Sequence, residues 1–388
     1  MRILMVHNRY QAAGGEDAST DAQVALLRDA GHEVVLLSDT NERIDDLGSM
    51  RTAARSIWSR EAKRRVGDLL GNGAFDLMHV QNLFPLFSPS IYYAARAHDV
   101  PVVQSLRNFR ALCPEGMLYR DGSVCTDCVG KRLAWPGIAH RCYRDSAAGT
   151  AVVAVMSAGH KIAGTWDRRV DRYVTPSSFA REIYVQAGWD PDKIDVIPNF
   201  VYPDPGPGDG ARDYAIYAGR LFPAKGLDTL IAAWETGSLD IPLKIVGEGP
   251  LKHLVKEAAA RNPHIEFLGQ VTPARVSELV ADAMFSVIPT RGIETFGRVA
   301  AESMARGTPP IAADHGGLAE VVTDGKTGLL FPPGDVMALV AAVDSLIGDR
   351  ERLQSMREAA REDFLDRFSG ERVLSDWTEL YGRVAARR

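Results

Sequence analysis

Two glutamates in the second half of the chain are spaced so that both could reach one ligand. The stretch PTRGIETFGRVAAESMARG, residues 289–307, places Glu294 in a loop and Glu302 in the helix that follows. Glu302 would lie about one and a half turns into that helix. The alternative is that Glu294 merely caps the helix and Glu302 is solvated, as most helical glutamates are.

An anion could also bind there. The helix start leaves backbone N–H groups unpaired around Phe296, Gly297 and Arg298, and such a terminus favours anions. Upstream, YAGRLFPAKG puts Arg220 and Lys225 in a loop after a strand. Two cations can neutralise a diphosphate without a metal through charge-assisted hydrogen bonds. A solvated arginine and lysine in a polar loop are the alternative.

Two further loops contain glycines where a backbone could approach a ligand closely. KIVGEGPL places Gly247 and Glu248 at a strand end, and RYQAAGGEDAST places Gly14 and Gly15 before a helix. Either loop could simply turn, because glycine is common in turns. The second loop lacks a G-x-G-x-x-G pattern, which argues against a dinucleotide site.

All four cysteines lie close together in the sequence, at Cys113, Cys125, Cys128 and Cys142. The C-x-x-C pair forms one knuckle, and the two outer thiols could complete a tetrahedral zinc site. A closed site of four thiolates would be structural rather than catalytic. An iron–sulfur cluster or redox pair, and plain thiols, are the other interpretations, while His140 is a weaker substitute ligand.

In their order and spacing these stretches resemble the retaining nucleotide-sugar glycosyltransferases of family 4, in a subgroup with a four-cysteine insert. The resemblance is carried by the Glu294 and Glu302 pair, GRLFPAKG, GTPPIAADHGGLAEVV and DGKTGLLFPPGD, and it covers nearly the whole chain. It implies the GT-B fold, an α/β architecture of two Rossmann-like doubly wound domains facing a cleft.

The resemblance also implies residue roles. Arg220 and Lys225 would hold the donor diphosphate, Glu302 would bond the ribose, and Glu294 would hold the transferred sugar. The candidate catalytic residues are Glu294, Arg220, Lys225, His79 and Arg107. The candidate donor-binding residues are Gly14, Gly15, Gly247, Glu248, Phe296, Gly297, Arg298 and Glu302.

The chain departs from the pattern of relatives with this insert at two positions. In HVQN, Gln81 follows His79 by two residues and stands where the relatives usually have a second histidine. In SLRN, Arg107 stands where they usually have a histidine. Arginine keeps a hydrogen-bond donor but loses any acceptor or base capacity. Three consequences of these departures are consistent with the sequence: a different donor sugar, an acidic acceptor, or a weakened or lost activity.

The resemblance implies transfer of a hexosyl group from a nucleoside diphosphate sugar to an acceptor hydroxyl, with retention at the anomeric carbon. The setting would be polysaccharide, glycolipid or natural-product biosynthesis. A UDP-sugar is the favoured donor and a GDP- or dTDP-sugar the alternative; the acceptor would be a carbohydrate, a lipid-linked molecule or a small molecule. No catalytic metal is expected. The rival functions are a GT-B isomerase or hydrolase of the same nucleotide sugar, and a nucleotide-sugar-binding protein with weakened catalysis.

Strand-length apolar runs alternate with helical stretches, which predicts two series of parallel βαβ units. The predicted strands of the first series lie in RILMVH, EVVLLS, DLMHVQN, VPVVQSL and DRYVTPSS, and those of the second in DYAIYAGR, PLKIVGEG, HIEFLG, FSVIPT, PPIAAD and GLLFPPGD. Between them, PNFVYPDPGPGDGARD is too rich in Pro and Gly to continue either element and is the expected linker. We expect an N-terminal acceptor domain over 1–203 with its insert at about 107–146, a nucleotide-sugar domain over 211–365, and a helix over 366–388 crossing back to the first domain.

Composition narrows the choice of partners. The formal net charge of −5 over 388 residues gives no reason to expect nucleic acid. The opening MRILMVHN is too short for a signal or membrane segment, so a cytoplasmic protein is expected. RTAARSIWSREAKRR, residues 51–65, could form a basic amphipathic helix that lies on the inner membrane face, or a solvated helix face.

Overall fold

The computed structural model describes residues 1–11, 14–208 and 213–386. The chain divides into two compact units, the first formed by Met1–Leu118, Thr126–Pro198 and Val373–Arg388, the second by Tyr119–Cys125 and Asn199–Arg372. Within the described residues each unit contains one six-stranded sheet whose strands all run parallel. The predicted pair of doubly wound α/β domains is confirmed.

The sheet of the first unit has the strand order β2-β1-β3-β4-β7-β8. The strands up to residue 198 are β1 (Arg2–Arg9), β2 (Glu33–Thr40), β3 (Leu77–Val80), β4 (Val102–Ser105), β5 (Tyr119–Arg120), β6 (Ser123–Val124), β7 (Arg172–Thr175) and β8 (Ile194–Val196). β5 and β6 form a separate antiparallel hairpin. The sequence analysis identified the other strands except β8, a short run that follows a turn beginning at Pro191.

The helices of this stretch flank the sheet. They are α1 (Gly15–Asp29), α2 (Arg43–Leu47), α3 (Ser49–Ile57), α4 (Arg60–Asn72), α5 (Ser90–Ala97), α6 (Trp135–Ala139), α7 (Ala147–Ile162), α8 (Thr165–Arg169) and α9 (Ser178–Gln186). A single basic helix over 51–65 is wrong. Trp58 is extended and ends α3, and the Ser59 hydroxyl caps α4 by accepting from the Ala62 N–H.

The second unit has the strand order β11-β10-β9-β12-β13-β14. Its strands are β9 (Ala215–Ala218), β10 (Leu243–Val246), β11 (Ile265–Gly269), β12 (Phe285–Ile288), β13 (Pro310–Ala313) and β14 (Leu329–Phe331). The remaining helices are α10 (Leu227–Glu235), α11 (Lys252–Arg261), α12 (Pro273–Asp282), α13 (Arg298–Ala305), α14 (Leu318–Val321), α15 (Val336–Ile347), α16 (Arg350–Arg367) and α17 (Gly370–Ala385).

Both sheets are the cores of their units. β3, β4, β12 and β13 are buried along their whole length, which explains why they read as unbroken apolar runs rather than alternating patterns. In the second unit the order of strands reverses between β9 and β12. In open parallel sheets a ligand binds beyond the carboxyl ends of the strands at such a reversal.

No helix in the described part of the chain is both long and apolar enough to cross a bilayer.

Candidate functional site

The two loops that carry the candidate cations and Glu294 leave adjacent strands. Arg220 and Lys225 follow β9, and Glu294 follows β12, its neighbour at the reversal of strand order. A short 3-10 turn over Pro223–Lys225 then leads into α10. The sheet therefore brings together side chains that are far apart in the sequence.

Lys225 and Glu294 form an ion pair at the centre of this region. The Lys225 Nζ lies 2.6 Å from the Glu294 Oε1, and the two side chains are only 25% and 22% exposed. Burial opposes ionisation of Glu294, but the Lys225 ammonium, followed by the Arg220 guanidinium, outweighs it and holds the pKa of Glu294 below its usual value. The carboxylate is therefore charged at neutral pH, and so is available to accept hydrogen bonds.

The two loops are clamped to each other through one carbonyl group. The Ala224 oxygen accepts from the Arg291 N–H at 2.8 Å, the Gly292 N–H at 2.9 Å and the Thr290 hydroxyl at 2.9 Å. Gly226 has a φ of 70°, and a Cβ there would collide with the Pro289 carbonyl oxygen. Only glycine allows this close approach, which fixes the distance between the Lys225 and Glu294 loops.

A glycine pair supports the Glu294 loop from behind. The Gly317 N–H donates to the Glu294 carbonyl at 2.8 Å, and Gly316 adopts a φ of 64° against the same residue. His315 is nearby, and its Nε2 is bonded to the Thr290 carbonyl at 3.0 Å. Burial lowers the pKa of His315, although that hydrogen bond and Glu294 oppose the shift. The sequence analysis did not single out this histidine; its place in DHGG beside the loop was the available signal.

Helix α13 begins directly after this loop. Gly297 is its N-cap with a φ of 99°, and glycine has no side chain to cap the first N–H groups. Phe296 is buried, while the Arg298 Nε lies 2.7 Å from the Glu302 Oε1. Glu302 keeps 41% of its side chain exposed. The structure thus places Glu302 one helical turn from Arg298 and on the same helix face.

The third candidate loop of this unit follows β10. Gly247 has a φ of 148°, and a Cβ there would collide with the Gly219 carbonyl, so this loop packs tightly against the loop that carries Arg220. Glu248 forms an exposed ion pair with Lys252 at 2.9 Å.

In the first unit, His79 on β3 is completely buried in a polar network. Its Nδ1 lies 2.7 Å from the Tyr381 hydroxyl and its Nε2 lies 2.9 Å from the Ser105 hydroxyl. Burial, and then the Arg107 charge, hold the pKa of His79 well below its usual value. The imidazole is therefore neutral at physiological pH, bonded on both nitrogens.

Arg107 joins the same network through a residue of α1. The Gln23 Oε1 accepts from the Arg107 Nη2 at 3.1 Å and from the Gln81 Nε2 at 2.9 Å, and the Gln23 Nε2 donates to the Tyr381 hydroxyl at 3.1 Å. The two residues that depart from the family's pattern, Arg107 and Gln81, thus share one acceptor. The sequence pointed to neither Gln23 nor Tyr381 as a member of this network, because nothing in their spacing connects them.

The loop containing Gly14 and Gly15 caps α1. The Gly14 N–H donates to the Asp17 Oδ2 at 3.1 Å, and the Asp17 Oδ1 lies 2.7 Å from the buried His7 Nε2. A phosphate at this backbone would compete with that carboxylate. Residues 12 and 13 of the same loop lie outside the described residues.

The four cysteines form no disulfide; all lie in the described part of the chain. Cys125 belongs to the second unit, whereas Cys113, Cys128 and Cys142 belong to the first. Among the described residues, no three His, Cys, Asp or Glu side chains are arranged to hold a metal ion. In this arrangement the thiols do not fit a zinc ion, and a structural zinc remains a prediction from their spacing.

Two family models match the chain. Residues 14–199 match the glycosyl transferase 4-like domain, and residues 205–363 match glycosyl transferases group 1. An uncharacterized glycosyltransferase of Methanocaldococcus jannaschii is 32% identical over 46% of this chain, and the match spans about half of that relative's length (50%). A phosphatidyl-myo-inositol mannosyltransferase of Mycolicibacterium smegmatis is 25% identical over 99% of this chain and 94% of its own.

Solved structures show the same fold. The structure of Anabaena HepE in complex with UDP-glucose aligns with a TM-score of 0.68 over 99% of this chain and 100% of that chain, at 18% identity. The two domains are therefore those of the GT-B fold, as expected.

Proposed function

We propose that this chain, which belongs to the glycosyltransferases built from a 4-like domain and a group 1 domain, moves a hexosyl group from a nucleoside diphosphate sugar to an acceptor hydroxyl. We further propose retention of configuration at the anomeric carbon. The acceptor would be a carbohydrate, a lipid-linked molecule or a small molecule in glycan, glycolipid or natural-product biosynthesis.

The observation that carries the proposal is the Lys225 and Glu294 pair at the reversal of strand order. A cation held 2.6 Å from an ionised carboxylate offers two complementary contacts to one ligand. Lys225 and Arg220 would bond the diphosphate oxygens, and Glu294 would accept from hydroxyls of the transferred sugar. The complexes of Anabaena HepE with UDP, with UDP and glucose, and with UDP-glucose support a UDP-sugar as the donor, with GDP- and dTDP-sugars as alternatives.

In the chemical step the protein would mainly position the two substrates and stabilise the charge that develops. As the bond from the anomeric carbon to the diphosphate breaks, negative charge grows on the leaving oxygen. Arg220, Lys225 and the start of α13 at Gly297 would stabilise that charge. Exclusion of water from the site would keep the donor from being hydrolysed. We propose that the departing diphosphate takes the acceptor's proton on the same face of the sugar, so that no side-chain nucleophile is required.

The remaining donor contacts follow the same logic. Glu302 would accept from the ribose hydroxyls, with Arg298 fixing its orientation through their 2.7 Å contact. The nucleotide and diphosphate would also lie close to the backbone of Phe296 and of two loops, one with Gly14 and Gly15 and the other with Gly247 and Glu248.

His79 and Arg107 would act from the first unit. The neutral His79, bonded on both nitrogens, is suited to holding a geometry rather than shuttling a proton. Arg107 can donate to a sugar hydroxyl or an acidic group but cannot act as a base. A weakened catalyst or a donor hydrolase remains the alternative that this substitution favours.

The test is release of nucleoside diphosphate from UDP-, GDP- and dTDP-sugars with and without a panel of acceptors. The proposal expects release that depends on the acceptor, with a product whose anomeric configuration, read by NMR coupling constants, matches the donor. Equal release without any acceptor would favour a hydrolase. Binding of a nucleotide sugar without release under any condition would favour a binding protein.

A further inference from the structure

A cavity in the first unit opens at the carboxyl ends of β3 and β4. The space between its walls, open solvent included, is about 540 Å³, and it is lined by Gln81, Ser105 and Arg107 on the side of the sheet. A second opening of about 460 Å³ adjoins it and shares Arg110 and Ser157 with it.

The wall of the cavity is aromatic. Trp189 is its centre, with ring centroids 6.2 Å from Trp166, 4.7 Å from Tyr173 and 4.9 Å from Tyr184. All four side chains line the cavity. Trp166, Tyr173 and Tyr184 are buried and support Trp189, which is partly exposed. A partly exposed indole can pack against the apolar face of a ring.

The charged residues at the two openings all carry one sign. The cations are Arg107, Arg110, Lys131, Arg132 and Lys161. Among the described residues, no aspartate or glutamate lines either opening. Because the chain as a whole has 50 acidic and 45 basic side chains, this concentration is a local property.

Two of these cations are held by groups that leave their charge in place. The Arg110 Nη1 donates to the Pro114 carbonyl at 2.9 Å, and its guanidinium lies over the Phe84 ring at 4.9 Å. The Lys161 Nζ donates to the Ala187 carbonyl at 3.3 Å. Neutral oxygens and ring faces position a cation without neutralising it, so an anionic ligand gains the full attraction.

Two buried polar atoms of the cavity wall, the Gln81 Oε1 and the Ser157 Oγ, have no hydrogen-bond partner among the residues that the structure describes. The orientation of the Gln81 amide is determined by its surroundings. Its Nε2 donates to the Gln23 Oε1, which already accepts from Arg107, so the Gln81 oxygen must point elsewhere. Buried polar atoms are almost always paired in native proteins, and a ligand hydroxyl would pair these after small side-chain movements.

We propose that this cavity binds the acceptor and that the acceptor is an anionic sugar, with a carboxylate or a phosphate beside its accepting hydroxyl. The sugar ring packs on the Trp189 wall, its hydroxyls pair with Gln81 and Ser157, and its acid is held by Arg107 and Arg110. The proposal rests on the proposed transferase function, because a protein that transfers no sugar has no acceptor.

The experiment compares three probes that share one aromatic aglycone, by isothermal titration calorimetry without any nucleotide. They are p-nitrophenyl glucuronide, the 6-phosphate of p-nitrophenyl glucoside, and neutral p-nitrophenyl glucoside. We expect the charged probes to bind roughly tenfold more tightly than the neutral one, as a charge-assisted hydrogen bond would give. Preference for the glucuronide or for the phosphate identifies which acid the natural acceptor carries.

The variants are Arg110→Gln, at a half-buried side chain, and the double variant Lys131→Ala and Arg132→Ala, whose two side chains are exposed and so removable without loss of folding. Arg110→Gln should lose most of the charge preference, and the double variant, whose side chains line the second opening, should lose a smaller part of it. Arg60→Ala with Arg64→Ala removes two exposed cations from α4, outside the cavity, and should keep it. Equal binding of all three probes, no binding, or an unchanged preference in Arg110→Gln overturns the proposal. Because the assay needs no turnover, a chain that keeps the preference but transfers no sugar refutes only the transferase function.

Discussion

Replacing Lys225 with methionine tests the proposed donor site most directly. The change keeps the length of the side chain but removes the ammonium that lies 2.6 Å from the Glu294 carboxylate. Glu294 would then be a carboxylate that is only 22% exposed, with its nearest cation gone. Its pKa should rise, because burial would no longer be outweighed by Lys225.

Two magnitudes follow from this geometry. A pair exposed to this degree lies between a surface ion pair and a buried one, so Lys225→Met should cost about 1–2 kcal/mol of stability. The loss of one preorganised cation from the leaving diphosphate should lower kcat by about 10²–10³-fold. The double variant with Glu294→Gln removes both charges. It should regain stability but no activity.

The assay is nucleoside diphosphate release under saturating donor, paired with thermal unfolding of each variant. Lys244→Met is the matched control, since Lys244 pairs with Glu266 at 3.5 Å in the same unit but away from this loop. It should keep the wild-type rate within a few-fold. Near-wild-type kcat in Lys225→Met, or a double variant that recovers activity together with stability, would refute the reasoning.

The remaining predictions concern pH, two positions in the framework of the sites, and the thiols. Because the pKa of Glu294 is depressed in the folded state, its stabilisation is present at neutral pH and is lost as pH falls below about 4; the stability difference between wild type and Glu294→Gln in denaturant melts should shrink there. Tyr381→Phe removes a buried hydroxyl bonded to His79 and Gln23, and should cost about 1–3 kcal/mol in urea unfolding and raise KM more than it lowers kcat. Gly297→Ala forces a Cβ to 2.5 Å from Leu318 Cδ1 at a φ of 99°; it should cost about 1–3 kcal/mol and weaken donor binding in thermal-shift titrations, whereas an alanine at a helical glycine with open space around it, such as Gly159, should not. Elemental analysis should find one zinc per chain if the cysteine spacing was interpreted correctly, and an unchanged melting temperature in chelator with no bound metal would contradict it.

Much of the fold could be predicted because its signals are local. Runs such as RILMVH and FSVIPT are apolar along their length, and strands buried on both faces of a parallel sheet have that pattern. β8 was missed because only three residues form it and its pattern is mixed. Residues 51–65 were interpreted as one helix because basic residues recur along the whole stretch. The structure instead ends α3 at Trp58 and begins α4 after Ser59, whose single hydroxyl caps the new helix.

The candidate site was predictable in its residue types but not in its contacts. The residue types and positions predicted that Lys225 could neutralise a diphosphate, and the family resemblance implied that Glu294 would hold the sugar. Their direct pairing depends on the adjacency of β9 and β12, a property of strand order. The cysteines are a second example. The C-x-x-C spacing predicts that Cys125 and Cys128 lie close together, but it does not determine how far Cys113 and Cys142 lie from them.

What the sequence alone determined is therefore the alternation of elements, the two halves and the chemical types at the loop ends, all of which depend on residues near one another in the chain. Only the tertiary structure decided which groups meet. Gln23 and Tyr381, 358 residues apart, bond to each other and, with His79 and Gln81, form the network that holds Arg107. A hydrogen bond acts over about 3 Å whatever the separation in sequence, so no local pattern records it.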